Sequence, residues 1–374
     1  MGKQVKTPRF YVDMPTFLHA TGQLGWDGNK GGAELLYMNC SNPFLEQNSS
    51  QTKFIIGENT SDNIKTSFPI NFCALLNHNL ASDSNPFSIH AKSGLNSSET
   101  DIITDSNIYS SNVINANTSG NKLSLAYNGS SIWLFNDTLD KYWRSFELYY
   151  SNTSDGSDPF DDYTHQLGSM VVGKYWDAPN SPDLSLTMSR RFDGIKKQKT
   201  IGGKTLANIY YDGPTEWTMH PKNPDYGRSG TYKYPPFELD TTAKVDSEGY
   251  RFDYRAKSGL GRKGLRSWNL TFSYISEDNM WMDNEVSSKL TDDSIDDGEN
   301  PTGGNNPNPM LTDDSFNFVW NCTLGGTLPF IFQPDNTNNN ADQFSICTFR
   351  SNTLNVKQVA FNTYTLSVTI DEVA

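Results

Sequence analysis

Apolar and polar residues alternate with a period of two along much of this chain. Leu123, Leu125 and Tyr127 alternate with polar neighbours, as do Tyr250, Phe252 and Tyr254, and Trp268, Leu270, Phe272 and Tyr274. Phe316, Phe318, Trp320, Cys322 and Leu324 fall mainly on one face of a further run, and Tyr364, Leu366, Val368 and Ile370 on one face of another near the C-terminus. Successive strand residues point to opposite sides, so each run predicts a strand with one face toward a core and one toward solvent. Phe68–Leu76 is denser in apolar residues and predicts a strand buried on both faces. Helical periodicity is almost absent, and the expected fold class is all-β with antiparallel sheets.

Turn-rich stretches separate these runs at 48–52, 93–100, 152–158 and 180–182. The longest, 292–309, reads DDSIDDGENPTGGNNPNP and predicts a long acidic surface loop, because it has almost nothing to contribute to a core. Residues 336–340 predict a second polar tip. A chain of 374 residues exceeds one comfortable core, and Pro179 and Pro182 punctuate the best boundary, near Pro179–Leu186. The expected organisation is an extended N-terminal arm over 1–30, a first β-sandwich over 31–185, and a second over 186–374 that carries the acidic loop 292–309. In the arm, the apolar anchors Phe10, Tyr11, Phe17, Leu18 and Trp26 are separated by polar residues and glycine, which predicts docking on another subunit rather than on the chain's own core.

Composition sharpens this picture. Hydrophobic residues make up only 35% of the chain while aromatics alone reach 13%, so Phe, Tyr and Trp must supply much of the core. The net charge of −13 argues against nucleic acid and anionic membranes as partners and leaves proteins or neutral ligands. No apolar run reaches membrane-spanning length, and no apolar segment of a secretory signal follows the basic residues of Met1–Phe10. Synthesis in a cytoplasm is expected, with exit only inside a larger particle. The four cysteines, Cys40, Cys73, Cys322 and Cys347, have neither zinc-site nor disulfide-framework spacing and read as reduced, buried residues. Without a secretory route, the Asn-x-Ser/Thr tripeptides at Asn48, Asn117, Asn136 and Asn269 carry no weight as glycosylation sites.

No catalytic constellation emerges, and neither a cofactor nor a metal is expected. Gly259, Gly261 and Gly264 match a dinucleotide fingerprint, but an alternating strand rather than a helix follows them, so a hairpin tip explains the glycines better. Asp292, Asp293, Asp296, Asp297 and Glu299, and likewise Asp155, Asp158, Asp161 and Asp162, lack the spacing of a calcium loop. No pair of carboxylates stands out for glycoside hydrolysis, and no Gly-x-Ser-x-Gly elbow occurs. The five histidines, His19, His78, His90, His165 and His220, show no metal spacing, and His78 is expected to hydrogen-bond locally at a strand end. Arg190, Arg191, Lys196, Lys197 and Lys199 form one basic island, and Arg251, Arg255, Lys257, Arg262, Lys263 and Arg266 another. Each suits a solvated hairpin or a face for an acidic neighbour. Tyr142, Trp143, Tyr175 and Trp176 are the candidates for a sugar-stacking face, with Tyr226 and Tyr232 also available.

The segment Phe72-Cys-Ala-Leu-Leu-Asn-His-Asn-Leu80 resembles one found in bacteriophage tail-region proteins, where an apolar strand ends in Asn-His-Asn-Leu early in a galactose-binding-like jelly roll. Trp143-Arg144-Ser-Phe146 and Met170-Val-Val-Gly173 resemble that family's next two motifs in the expected order. Pro329–Phe332, the following Gln333-Pro334-Asp335, Phe344 with Cys347, and Val359–Ile370 resemble its C-terminal half. The resemblance loosely covers 65–374. It implies jelly-roll-like sandwiches and a structural, non-enzymatic role in a virion, at the tail or neck, with other copies of the chain and other virion proteins as partners. A carbohydrate-binding receptor module is the main alternative, with a glycan as its ligand, and a virion-borne polysaccharide depolymerase is the next.

Overall fold

The computed structural model describes residues 5–22, 35–38, 44–46, 53–56, 68–78, 87–92, 100–101, 110–114, 117–119, 122–124, 127–135, 145–150, 165–191, 195–209, 218–221, 244–245, 251–252, 264–282 and 313–373. The chain is mostly β, dominated by a large antiparallel sheet. Along the main path of that sheet the strands run Thr187–Arg191, Leu265–Ser276, Thr363–Glu372, Ser345–Phe349, Phe330–Gln333, Arg9–Asp13, His165–Asp177, Phe72–His78, Tyr127–Phe135 and Thr218–Pro221. A second sheet holds Lys53–Ile56, Ser145–Tyr150 and Phe87–Lys92 with shorter strands beside them.

The N-terminal strand is the centre of this order and corrects the expectation of a detached arm. Arg9–Asp13 is hydrogen-bonded on one side to His165–Asp177, with Phe10 opposite Trp176, and on the other to Phe330–Gln333, with Phe10 opposite Phe332. All five of its residues are buried. It therefore joins strands from both sides of the expected boundary into one sheet. The Pro179–Leu186 stretch connects two strands of that same sheet. Trp26 lies outside the described residues.

Apolar residues pack against both faces of the sheet at its central strands, while Thr187–Arg191 is exposed and Asn355–Ala360 mostly so. Phe72, Ala74 and Leu76 belong to a cluster on one side with Tyr11, Val171 and Ile331, while Cys73 and Leu75 belong to the larger cluster on the other. The strand is Phe72–His78, starting four residues into the predicted run Phe68–Leu76 and ending two beyond it, and it is buried on both faces as the composition of that run predicts. Ile89, Ala91 and Phe146 of the second sheet join the larger cluster, where Phe146 packs 5.5 Å from Phe68. That cluster also takes Trp268, Leu270, Phe272, Phe318, Phe330 and Phe332, together with Leu366, Val368 and Ile370 of the last strand. Gly173 sits opposite both Asp13 and Phe72, and a side chain there would collide with the Val12 carbonyl oxygen. The close approach of these strands thus requires glycine.

Two sequence expectations fail locally. Phe316–Cys322 is an α-helix rather than a strand; Phe316, Phe318, Val319 and Cys322 are buried in the core, and Trp320 is only partly buried. In Leu265–Ser276, Trp268, Leu270 and Phe272 point inward as expected, but Tyr274 does not. A bulge between Phe272 and Ile275 places Tyr274 at φ 61°, exposes it, and turns Ile275 inward. The strand Leu265–Ser276 begins directly after Gly264, while Gly259 and Gly261 lie outside the described residues.

Candidate functional site

The candidate site divides into a buried polar seam and an exposed aromatic corner. The seam forms where Arg9–Asp13, His165–Asp177 and Phe330–Gln333 pair. Register places Arg9 opposite Asp177 and Gln333, and Tyr11 opposite Tyr175. Arg9 holds Asp177 with two parallel bonds, Nε to Oδ1 at 2.6 Å and Nη2 to Oδ2 at 2.7 Å. Its guanidinium lies 3.9 Å from the centre of the Tyr175 ring. Tyr11 donates its hydroxyl to Gln333 Oε1 at 2.7 Å, and burial pushes its phenol up, so it serves as a neutral donor. The Gln333 amide donates onward to the Asn338 carbonyl at 3.0 Å.

Of the four sugar-face candidates, Tyr175 and Trp176 lie on the His165–Asp177 strand of this seam. Tyr142 and Trp143 lie outside the described residues. Tyr175 and Trp176 are neighbours on one strand and point to opposite faces. Trp176 is buried among Phe10 and Phe316, with its Nε1 donating to the Asp314 carbonyl at 2.9 Å, so it is a core residue. Tyr175 is half-buried beneath Arg9. Arg9, Tyr11, Asp177 and Gln333 were not singled out as a site by sequence reasoning. The one signal for them is the alternation in Arg9-Phe-Tyr-Val-Asp13, which puts Arg9 and Tyr11 on one face.

The buried titratable groups serve the fold. Cys73, Cys322 and Cys347 are buried thiols, and burial pushes all three up, away from nucleophilic thiolates. His78 is buried and shares a 2.9 Å hydrogen bond with Ser131 of the neighbouring strand, a structural hydrogen bond as expected but made across the sheet rather than locally. Asp13 ends its strand and caps the Met14–Ala20 helix. It accepts from Thr16 Oγ1 at 2.5 Å and from Thr16 N at 3.4 Å, with Pro15 in the first turn. Among the described residues no three His, Cys, Asp or Glu side chains converge as a metal site. Both acidic clusters singled out in the sequence lie outside those residues. Among the described residues no helix is long and apolar enough to cross a membrane.

Asp13 and His78 give opposed pH dependences. Burial pushes the Asp13 carboxyl from 3.8 up to about 7, against the pull of its Thr16 bonds. Its contribution is full below pH 3.8 and is lost as pH rises through about 7, because the folded chain binds the extra proton. Burial lowers the His78 imidazole from 6.5 to about 3, so its contribution is full above pH 6.5 and is lost as pH falls toward 3. The two slopes oppose each other between pH 3.8 and 6.5. Asp13→Asn keeps a capping oxygen and removes one slope. Its melting temperature should fall more steeply than the wild type's on acidification from pH 6.5, and should drop less from pH 5 to about 8. Parallel melting profiles for the two proteins would show that Asp13 does not titrate in this range.

The exposed corner lies at one end of the large sheet. Asn355–Ala360 and Thr363–Glu372 form a hairpin whose turn exposes Phe361 by 88%, next to Asn362 at φ 52°. On the next strand, Ile275 pairs with Tyr364 and Ser276 with Thr363, which sets the Tyr274 bulge at the same end. Tyr274 is 75% exposed and Val359 45%. Trp281 packs edge-on to Tyr364 at 6.0 Å beside them. This arrangement offers apolar contact area and no reactive group. Comparison of the chain with known protein families, curated proteins and solved structures finds no match.

Proposed function

We propose that this chain is a structural component of a bacteriophage particle, at the tail or neck, working through protein–protein interfaces with other copies of itself and with other virion proteins. The observation that carries the reading is the aromatic corner. Tyr274 and Phe361 are held out of the core by a bulge and a tight turn at one end of a sheet. Exposed aromatics in fixed backbone settings suit interfaces, where such residues are enriched. The strand placement of the family-like segments supports the jelly-roll-like sandwich reading. Phe72–His78 and Met170–Gly173 pair directly, Cys73 opposite Val172, and Ser145–Phe146 opens a strand of the second sheet. The described thiols, the buried histidine and the capping carboxylate are all in structural settings, which suits a protein without turnover.

The test is to find the chain in particles. Antibody raised against the purified protein should decorate one fixed station on intact particles by electron microscopy, and the chain should appear among the proteins of purified particles. Its absence from those particles would overturn the reading. Cleavage of a polysaccharide by the purified chain, lost on replacing one Asp or Glu, would overturn the non-enzymatic part.

A further inference from the structure

A second exposed element differs from the aromatic corner in being basic. Ile195–Lys199 and Thr205–Ile209 pair as a two-stranded sheet, from Ile195 opposite Ile209 to Lys199 opposite Thr205, and bond to no other described strand. Every residue from Lys197 to Leu206 is exposed. A two-stranded hairpin standing alone is marginal in water. This one nevertheless has a well-closed turn. Gly203 N donates to the Thr200 carbonyl at 2.8 Å, Thr200 N to the Lys204 carbonyl at 2.8 Å, and Lys204 N to Thr200 Oγ1 at 3.0 Å. Gly203 adopts φ +80°, which closes a three-residue loop without side-chain strain.

That turn holds up an isoleucine. Ile201 is fully exposed at the apex and Leu206 is 52% exposed behind it. Turn positions favour Gly, Asn, Asp, Ser and Pro, so a β-branched apolar residue there serves neither the turn nor the core. Around it, Lys196, Lys197, Lys199 and Lys204 occur with no Asp or Glu between Gly194 and Tyr211, in a chain of net charge −13. The rest of any copy is therefore the electrostatic complement of this hairpin. Nucleic acid offers no apolar recess for an isoleucine, and the chain as a whole repels phosphates.

We propose that this hairpin is the element by which one copy of the chain grips the acidic surface of a second copy, its lysines steering and pairing with carboxylates while Ile201 enters an apolar recess. The proposal rests on the assembly reading above and names a partner for it. Sedimentation velocity on the purified full chain tests it across concentration and salt. The wild type should self-associate at low ionic strength and dissociate as salt shortens the Debye length, which is about 10 Å at 0.1 M. The combined variant Ile201→Asp, Lys197→Glu, Lys199→Glu, Lys204→Glu should weaken association at least about 30-fold, the loss expected from an interface hot spot. Its melting temperature should match the wild type's, since none of the four side chains is buried. A wild type that stays monomeric at low salt overturns the proposal, as does association indifferent to salt or equally strong in the variant. Binding to anionic phospholipid vesicles without self-association would also overturn it, by assigning the hairpin to a membrane surface. Particle labelling tests the assembly reading separately, so the two can fail independently.

Discussion

Phe10→Ala should cost the isolated chain about 3–5 kcal/mol of stability, a large share of the roughly 5–15 kcal/mol that a folded domain has. Phe10 is fully buried, and its ring meets Trp176, Phe316, Phe330, Phe332 and Phe349 at centroid distances of 5.2 to 6.2 Å. Those partners come from one helix and three strands, so the missing ring would leave a cavity that no single movement closes. Burial of one large aromatic contributes about 2–3 kcal/mol, and the cavity adds the remainder. Phe10→Leu refills most of the volume and should recover most of the loss. Urea unfolding of the monomer measures both variants. The experiment also discriminates between two placements of the N-terminus. An arm that docks only on another subunit would leave the monomer indifferent to Phe10→Ala, and a change below about 1 kcal/mol would mean that the N-terminal strand is not part of this core.

The strands that were legible in the sequence are those where one period decides one face. Trp268, Leu270 and Phe272, and likewise Leu366, Val368 and Ile370, alternate in sequence and are buried in the structure. Phe316–Cys322 misleads because a seven-residue window fits two periods. Phe316, Phe318, Trp320 and Cys322 alternate, while Phe316, Val319 and Cys322 recur every third residue. Helix is the state observed, and Gly325 and Gly326 at φ 64° and 83° close the turns after it. Tyr274 misleads differently. One residue at positive φ shifts the alternation by one place, and a non-glycine bulge leaves no mark in composition. The Arg9–Asp13 strand was hidden because its partners lie far along the chain. Arg9 and Asp177 are 168 residues apart, and only tertiary pairing brings together the seam they form. The aromatic corner depends on exposure, which residue type alone does not reveal, whereas Lys196, Lys197 and Lys199 of the basic hairpin were legible as part of an island suited to a solvated hairpin. A hydrogen bond for His78 was legible because a polar residue ending a buried strand must find a partner, but that partner, Ser131, lies on the neighbouring strand.

Arg266 shows the same limit and supplies the second large effect. In sequence it belongs to a basic island suited to solvent or an acidic neighbour. In the structure it is drawn into its own chain by Glu372, whose side chain is only 1% exposed, against 14% for the arginine. Nη2 meets Oε1 at 2.7 Å, Nε meets Oε2 at 3.1 Å, and the Arg266 backbone N–H donates to Oε2 at 2.8 Å. The guanidinium also donates to the carbonyls of Asp342 and Phe344, each at 2.7 Å, and to Ser345 Oγ. One side chain thus ties the end of the last strand to Leu265–Ser276 and to the turn before Ser345–Phe349. Glu372→Leu leaves the arginine with its charge unmatched in a largely dry site and should cost about 3–5 kcal/mol. Arg266→Met strands the carboxylate instead and should cost a similar amount. The double variant removes both charges together, so its cost should be far below the sum of the singles. It should still be about 1–3 kcal/mol, because the Asp342 and Phe344 carbonyls lose their donor. A double-mutant cycle from urea unfolding of the three variants gives the coupling directly. Strictly additive losses would mean that the pair contributes no more than two separate surface charges, and that the last strand is held by its apolar face and backbone bonds alone.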